Sequence, residues 1–300
     1  MNTRRIVDGL KRRIDRYIRI PLAHRKFHNI DILSSMDSID FIIRNKCSVS
    51  RYGDGEFFVM MGGGNSFQNP DAELGARLKQ VLTATDAPNH CIGIPIHLKD
   101  TSNLVPESIE FWGYFTMRHA EHLLPYMSAT RTYLDTQLSR FYIAYKDKSH
   151  CQEQLQSLKR IWNDKDIVII EGCKSRTGVG NDLYDNARSI QRILGPATDA
   201  FRKYSQMLEA ITNHVSKDKL ILLSYGMTAT VLAYDLAKLG YWAIDIGHLD
   251  IEYEWYRMGA KDSCPIKGKF TNEAKERGGH EVANCEDKEY FSQIICDITK

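Results

Sequence analysis

An α/β fold, with helices on both faces of a mostly parallel sheet, is predicted by three features of the sequence. From about residue 36, short β-branched or aromatic runs alternate with amphipathic helical stretches. The runs are bounded by Gly, Asp or Ser, as strands are. The helical stretches close at glycines, where a chain leaves a helix through the left-handed region. The 300 residues fit one large domain with appendages, and 43% apolar against 26% charged residues suffices for a core.

Taken in order, residues 4–19 form the first element, an amphipathic helix. Ile6, Val7, Leu10, Ile14, Tyr17 and Ile18 recur at three- and four-residue steps, with Arg5, Arg12, Arg13, Arg16 and Arg19 between them. Pro21 is expected to end it. Such a helix either packs on the body or lies on an anionic membrane surface. Strands are expected at Cys47–Tyr52, Cys91–Ile96, Phe141–Tyr145, Asp166–Glu171, Lys219–Ser224 and Trp242–Ile246. Helices are expected at Asp71–Ala84, at Asn181–Leu194 before Gly195-Pro196, and at Thr228–Leu239 before Gly240. The tail from about Phe270 reads as irregular until Tyr290–Ile298.

In an open parallel sheet, ligands bind just beyond the strands' carboxyl ends, and three such loops are rich in polar residues. The first is Arg51-Tyr52-Gly53-Asp54-Gly55-Glu56. Its two carboxylates can converge on one point if the glycines let the chain turn, which suits Mg²⁺ or Mn²⁺ shared with phosphates. Arg51 beside them suits a phosphate. Asp54-Gly55-Glu56 is also readable as an ordinary turn with solvated acids. The second runs from Glu171 to Asp182 and carries Ser175, Arg176, Gly178, Asn181 and Asp182. Read as a strand-to-helix turn, it suits a diphosphate held by helix N–H groups. Asn181 or Asp182 as a plain helix cap is the alternative.

The third run spans Ser224 to Trp255. Gly226 permits close approach of the backbone, and Thr228 caps a helix or touches a phosphate. His248, Asp250, Glu252 and Glu254 follow a strand and hold the candidates for a general base. Solvent-facing acids and a hydrogen-bonded structural histidine are the plainer alternative.

Charge narrows the classes further. The net charge of +2 argues against a nucleic-acid partner. It is uneven, because residues 1–26 carry nine Arg or Lys against Asp8 and Asp15. Seven cysteines with no C-x-x-C pair argue against zinc and against a disulfide framework, and point to a cytoplasmic setting. The expectation is of no membrane-spanning run and no signal peptide.

The loops together resemble the bacterial glycosyltransferases of the GT-D fold. The resemblance is carried by Arg51-Tyr-Gly-Asp-Gly-Glu56, Ser175-Arg-Thr-Gly-Val-Gly-Asn-Asp-Leu183, Thr228-Ala-Thr-Val-Leu-Ala-Tyr-Asp-Leu236 and Asp245-Ile-Gly-His-Leu-Asp-Ile-Glu-Tyr-Glu-Trp255. It spans roughly residues 35–270, leaving a basic arm, 1–34, and a C-terminal extension, 271–300, outside. One departure is Met227, where many relatives are expected to carry proline.

The resemblance implies a Rossmann-like sheet, a UDP-sugar donor, a divalent metal (Mn²⁺ or Mg²⁺) at Asp54 and Glu56, and inverting transfer. It makes Ser175, Arg176 and Asn181 donor-binding candidates. Arg51, Gly178, Asp182, Gly226 and Thr228 join them from the loop chemistry above. Asp250 is the first candidate base, Glu252 the second, and His248 an additional base or an orienting group. The acceptor is expected to be a glycan, lipid-linked or glycoprotein hydroxyl. Residues 4–19 could touch the inner membrane face. A metal-dependent hydrolase, a non-catalytic nucleotide-sugar binding module and a membrane-recruited scaffold are the competing classes.

Overall fold

The computed structural model describes residues 3–299, with side chains for Asp8 and for residues 10–299. The side chains of Arg5, Ile6 and Val7, counted into the amphipathic arm, lie outside the described residues.

The strands, in chain order, are β1 (Asp31–Ile32), β2 (Ser48–Arg51), β3 (His90–Ile94), β4 (Thr132–Asp135), β5 (Asp166–Gly172), β6 (Ser189–Gly195), β7 (Leu220–Ser224), β8 (Trp242–Asp245) and β9 (Ile294–Asp297). The helices are α1 (Thr3–Ile14), α2 (Ile20–Arg25), α3 (Ser35–Asn45), α4 (Asp54–Met60), α5 (Ala72–Thr83), α6 (Pro106–Leu123), α7 (Cys151–Trp162), α8 (Tyr204–His214), α9 (Thr228–Lys238), α10 (Leu249–Met258) and α11 (Lys288–Gln293). Among the described residues the nine strands make one sheet in the order β1-β4-β3-β2-β8-β7-β5-β6-β9. Every pairing is parallel.

The central strands are buried on both sides, so their side chains are continuously apolar rather than alternating. Ile167 to Ile170 have no exposed surface. One face is covered by α3, α7 and α10 through Ile39, Leu155, Trp162 and Trp255. The other is covered by α5, α6, α8 and α9 through Leu78, Phe115, Met207 and Leu232. The arm contributes β1, which pairs with β4, and the tail contributes β9, which pairs with β6 at the opposite edge.

Local chemistry fixes several boundaries. Asp71 caps α5 by accepting from the Leu74 N–H at 2.9 Å. That helix buries Leu74, Leu78, Val81 and Leu82, as its periodicity predicts. Gly240, at φ +83°, lets the chain turn out of α9 into β8.

Three expectations are corrected. Pro21 does not end the arm, because the helical path continues to Arg25. A π-helical turn over Asp15–Arg19 precedes it, with the Ile20 N–H reaching back to the Asp15 carbonyl. Pro21 then sits at the start of a new α segment, where its missing N–H costs little.

Phe141–Tyr145 is a loop, and the strand that feeds it is β4. The N–H groups of Tyr142 and Ile143 donate to Glu252 at 3.0 Å rather than to a neighbouring strand. Finally, Asn181–Leu194 is not a helix. Residues 181–188 are turns and 189–195 form β6, in register with β5 from Asp166↔Ser189 to Gly172↔Gly195. The apolar residues Ile190, Ile193 and Leu194 satisfy a helical spacing and a buried strand equally well, and strand pairing decides between them.

Asp135 turns the chain after β4. It is 1% exposed, and its carboxylate accepts from the Ser35 hydroxyl and from the N–H groups of Ile96 and Gln137. Burial raises its pKa from 3.8 to about 6. The folded state therefore holds this proton more tightly than the unfolded chain, and its contribution is largest below about pH 4. That contribution is lost as pH rises from about 4 to about 6, by about 2–3 kcal/mol. The Asp135→Asn variant should accordingly gain stability on the wild type across that window, measured by urea unfolding at a series of pH values. A difference that stays flat with pH would show that Asp135 is ionised throughout.

Candidate active site

A cleft of about 760 Å³ opens over the carboxyl ends of the strands. It lies where the chain leaves the sheet in both directions, as a topological switch requires. Its walls come from the segments after β2, β4, β5, β6, β7 and β8, with the start of α6 on one side and the tail near residue 272 on another.

Arg51 closes β2 at the floor. It is 7% exposed, and its Nε and Nη2 donate to the Thr136 carbonyl at 3.2 and 3.0 Å. Its Nη1 lies 3.6 Å from Asp245 Oδ1 at the end of β8. Expected to contact a phosphate, this guanidinium is instead committed to tying three loops together. Gly247 explains the glycine after Asp245: its φ is +50°, and a Cβ there would lie 2.1 Å from Arg51 Nη1.

Asp54 and Glu56 form the first turn of α4. Glu56 Oε2 accepts from the Gly53 N–H at 2.7 Å, the one half of a capping box that a glycine N-cap can make. Burial first, then the Asp245 charge, raises the Glu56 pKa to about 7. Asp54 is also raised by burial, against the pull of Arg140. Two acids that resist ionisation on one helical turn therefore face the cleft. Met227, which replaces the proline expected there, packs on this turn: a Cβ on Gly55 would lie 2.8 Å from its Cε.

The second loop divides. Ser175 lines the cleft, as do Thr177 and Gly172. Arg176, Gly178, Asn181 and Asp182 do not. Arg176 donates to the carbonyls of Gly268 at 2.9 Å and Ala283 at 2.7 Å, so it anchors the tail. Gly178, at φ +79°, passes the Tyr184 ring too closely for any Cβ. Asp182 accepts from the Tyr253 hydroxyl at 2.5 Å, which lowers its pKa. Because β6 follows this loop, the helix dipole expected for a diphosphate is not at this position. Gly226 lines the cleft at φ +55°. Thr228 opens α9 with its hydroxyl buried and unpartnered.

The candidate bases occupy three distinct settings. Asp250 is 4% exposed, and its oxygens take Lys269 Nζ at 2.6 Å and Asn181 Nδ2 at 2.7 Å. Glu252 has no exposed surface. It accepts from the loop amides of Tyr142 and Ile143, with Arg140 Nε 3.3 Å away. Only His248 keeps an open ring at the cleft wall, 29% exposed, with Nδ1 3.0 Å from Glu273 Oε1.

Three residues that matter here were not singled out from the sequence. Arg140 follows β4 and bridges Glu252 to Glu273. Burial opposes its charge, yet Glu273, Glu252 and Asp54 outweigh that and raise its pKa. Glu273 stays ionised well below the usual range because His248 and Arg140 overcome its burial. Lys269 neutralises Asp250 and lies 3.2 Å from Glu254.

Comparison with known proteins bears on this arrangement. The family described as "Glycosyltransferase GT-D fold" matches residues 49–274. The chain belongs to that family. It is 36% identical over 285 residues to "Probable glycosyl transferase Gly" of Streptococcus gordonii, covering 94% of this chain and 41% of that protein. It is 34% identical over 265 residues to "Glycosyltransferase GlyD" of Streptococcus pneumoniae serotype 4, covering 87% of this chain and 32% of that one. The chain thus spans less than half the length of these relatives.

A solved structure of domain of unknown function 1792, described as a distinct glycosyltransferase fold, superposes with a TM-score of 0.87 at 34% identity. That match covers 92% of this chain and 98% of the other. A glycosyltransferase of that domain type from Streptococcus sanguinis superposes at 0.84 with 35% identity, covering 90% and 100%. The match to the GT-D family runs through Glu273, so the Arg140–Glu273–His248 cluster falls within the matched span.

In this GT-D chain, Arg140→Met would leave the Glu252 carboxylate buried without its cation. Loss of about 3 kcal/mol is expected, measured by urea unfolding. Adding Glu252→Gln should recover most of it, and a purely additive double mutant would show that the two side chains are uncoupled.

Proposed function

We propose that this chain moves a sugar, with inversion, from a UDP-sugar to a hydroxyl of a glycan, lipid-linked or glycoprotein acceptor, and requires Mn²⁺ or Mg²⁺. The observation that carries this reading is the pair Asp54 and Glu56, half-buried at the cleft wall with raised pKa values. Carboxylates held near one another without a dedicated cation suit a hard divalent ion. Among the described residues no group of three or more ligating side chains gathers at one point. Such an ion would complete its shell with diphosphate oxygens and water, as Mg²⁺ commonly does. When bound, it would offset the charge that builds on the leaving diphosphate.

The chain's own residues supply the rest. Ser175 and the Gly226 turn line the cleft, and we assign them to the donor. We assign His248 as the base. With its Nδ1–H donated to Glu273, its Nε2 is free to take the acceptor proton as the acceptor oxygen bonds to the anomeric carbon and UDP departs. Glu273 then stabilises the imidazolium, as a carboxylate does behind a catalytic histidine. Asp250 and Glu252, each already neutralised by a cation, serve as positioning residues. The seven cysteines are free thiols, which suits the cytoplasm where nucleotide sugars are used.

Thermal shift and UDP release across a panel of UDP-sugars test the reading. UDP should stabilise the protein only with Mn²⁺ or Mg²⁺, and Asp54→Ala should remove that effect and cut turnover about 10²–10³-fold. His248→Ala should keep UDP binding and lose about 10²–10⁴-fold in kcat. UDP release that is equally fast without acceptor would identify a hydrolase instead. Binding without turnover, unchanged by His248→Ala, would identify a binding module.

A further inference from the structure

The arm leaves an apolar face uncovered. Leu10, Ile14, Tyr17, Ile18 and Leu22 are 59, 37, 73, 53 and 54% exposed. At about 100° per residue they fall along one side of the helical path. Lys11 and Arg13 are exposed along the edges of that side, and Arg12, Arg16 and Arg19 are exposed on the other, Arg19 paired with Asp15 at 3.2 Å. Apolar stripe plus basic flank is the pattern that binds an anionic bilayer surface. No helix of the described residues is long and apolar enough to cross a membrane.

The arm's attachment sets its direction. Ile20 packs on Gly113, where a Cβ would lie 3.1 Å from its side chain, and Lys26 pairs with Glu121. These two contacts make α2 run parallel to α6. Traced back from Ile20, the arm therefore heads in the direction of the start of α6. The start of α6 is the cleft rim, through Glu107, Ser108 and Phe111. Ile109 and Phe111, 40 and 45% exposed, add apolar surface at that rim.

We propose that residues 10–22 dock on an anionic lipid bilayer and hold the cleft rim at its surface, so that the acceptor is presented by a lipid anchor. The choice of a lipid-presented acceptor rests on the glycosyltransferase reading, whereas the docking does not. The stripe supplies insertion, and Lys11 and Arg13 supply attraction to anionic headgroups. Neither component touches the cleft walls near Asp54 or His248.

Flotation of the full chain with vesicles of phosphatidylcholine alone, or with about one-third phosphatidylglycerol, tests the docking. Binding is expected only with phosphatidylglycerol. It should fall at least about tenfold in Ile14→Asp with Ile18→Asp, and also in Lys11→Glu with Arg13→Glu. Both variants should retain wild-type melting and metal-dependent UDP stabilisation, because the altered side chains are exposed. Equal binding by wild type and both variants, or none by the wild type, overturns the proposal. So does a wild-type dimer in light scattering that becomes a monomer in Ile14→Asp with Ile18→Asp, since the stripe would then serve a second copy. Vesicle binding that survives alongside failed UDP binding would discard the transferase reading and leave the docking standing.

Discussion

A buried guanidinium at the switch point is the constraint on which the site depends. Arg51 ends β2, and its nitrogens reach the Thr136 carbonyl after β4 and the Asp245 carboxylate at the end of β8. Asp245 in turn accepts from the Gly247 N–H at 2.9 Å. Three loops from non-consecutive strands are thereby fixed at one point. Asp54, Arg140 and His248 each lie within five residues of that junction along the chain. A buried ion pair of this kind contributes little net stability, because desolvation offsets attraction. Its effect is geometric: neither partner can move without leaving the other's charge uncompensated.

The same logic is repeated in successive layers. Glu252 and Glu273 flank Arg140, Lys269 lies between Asp250 and Glu254, and Glu171 holds Arg192 at 2.7 Å beneath the second loop. Glu171 also accepts from the Thr177 N–H at 2.7 Å, so the loop that bears Ser175 hangs from a fully buried pair. Glu171, Asp250 and Glu252 are each committed to a cation, and Glu273 is shared between Arg140 and His248. Asp54 and Glu56 carry no such ion pair among the described residues, and burial is the first cause of their raised pKa values.

The sequence made much of this legible, for identifiable reasons. The strands β2, β3, β5, β7 and β8 are short apolar runs before polar loops, and reading ligands onto those loops led to Asp54, Ser175, Gly226 and His248. β4 was obscured because Thr132–Asp135 is brief and the aromatic run after it looks more strand-like. Missing β4 meant missing Arg140, five residues past its end. β6 was obscured because its apolar spacing also fits a helix. With no helix after this loop there is no helix dipole to hold an anion there, and its Arg176 fastens the tail while Ser175 faces the cleft. Glu273 and Lys269 lie in a segment with no regular pattern, and only tertiary contact with α10 and Arg140 gives them roles.

Charge balance separates transfer from simple binding. A diphosphate entering this cleft meets Arg140 already neutralised by Glu252 and Glu273, and Arg51 already committed to Asp245. It also meets Asp54 and Glu56, two acids whose ionisation burial opposes. Lys261 and Arg277 line the same cleft, so its wall presents cations as well as acids. Under the proposed reading a divalent ion held at the two acids would add positive charge beside the diphosphate, and donor binding and metal binding would become mutually dependent. The same ion would matter more as charge grows on the leaving diphosphate than in the bound donor, and only such differential stabilisation accelerates a reaction.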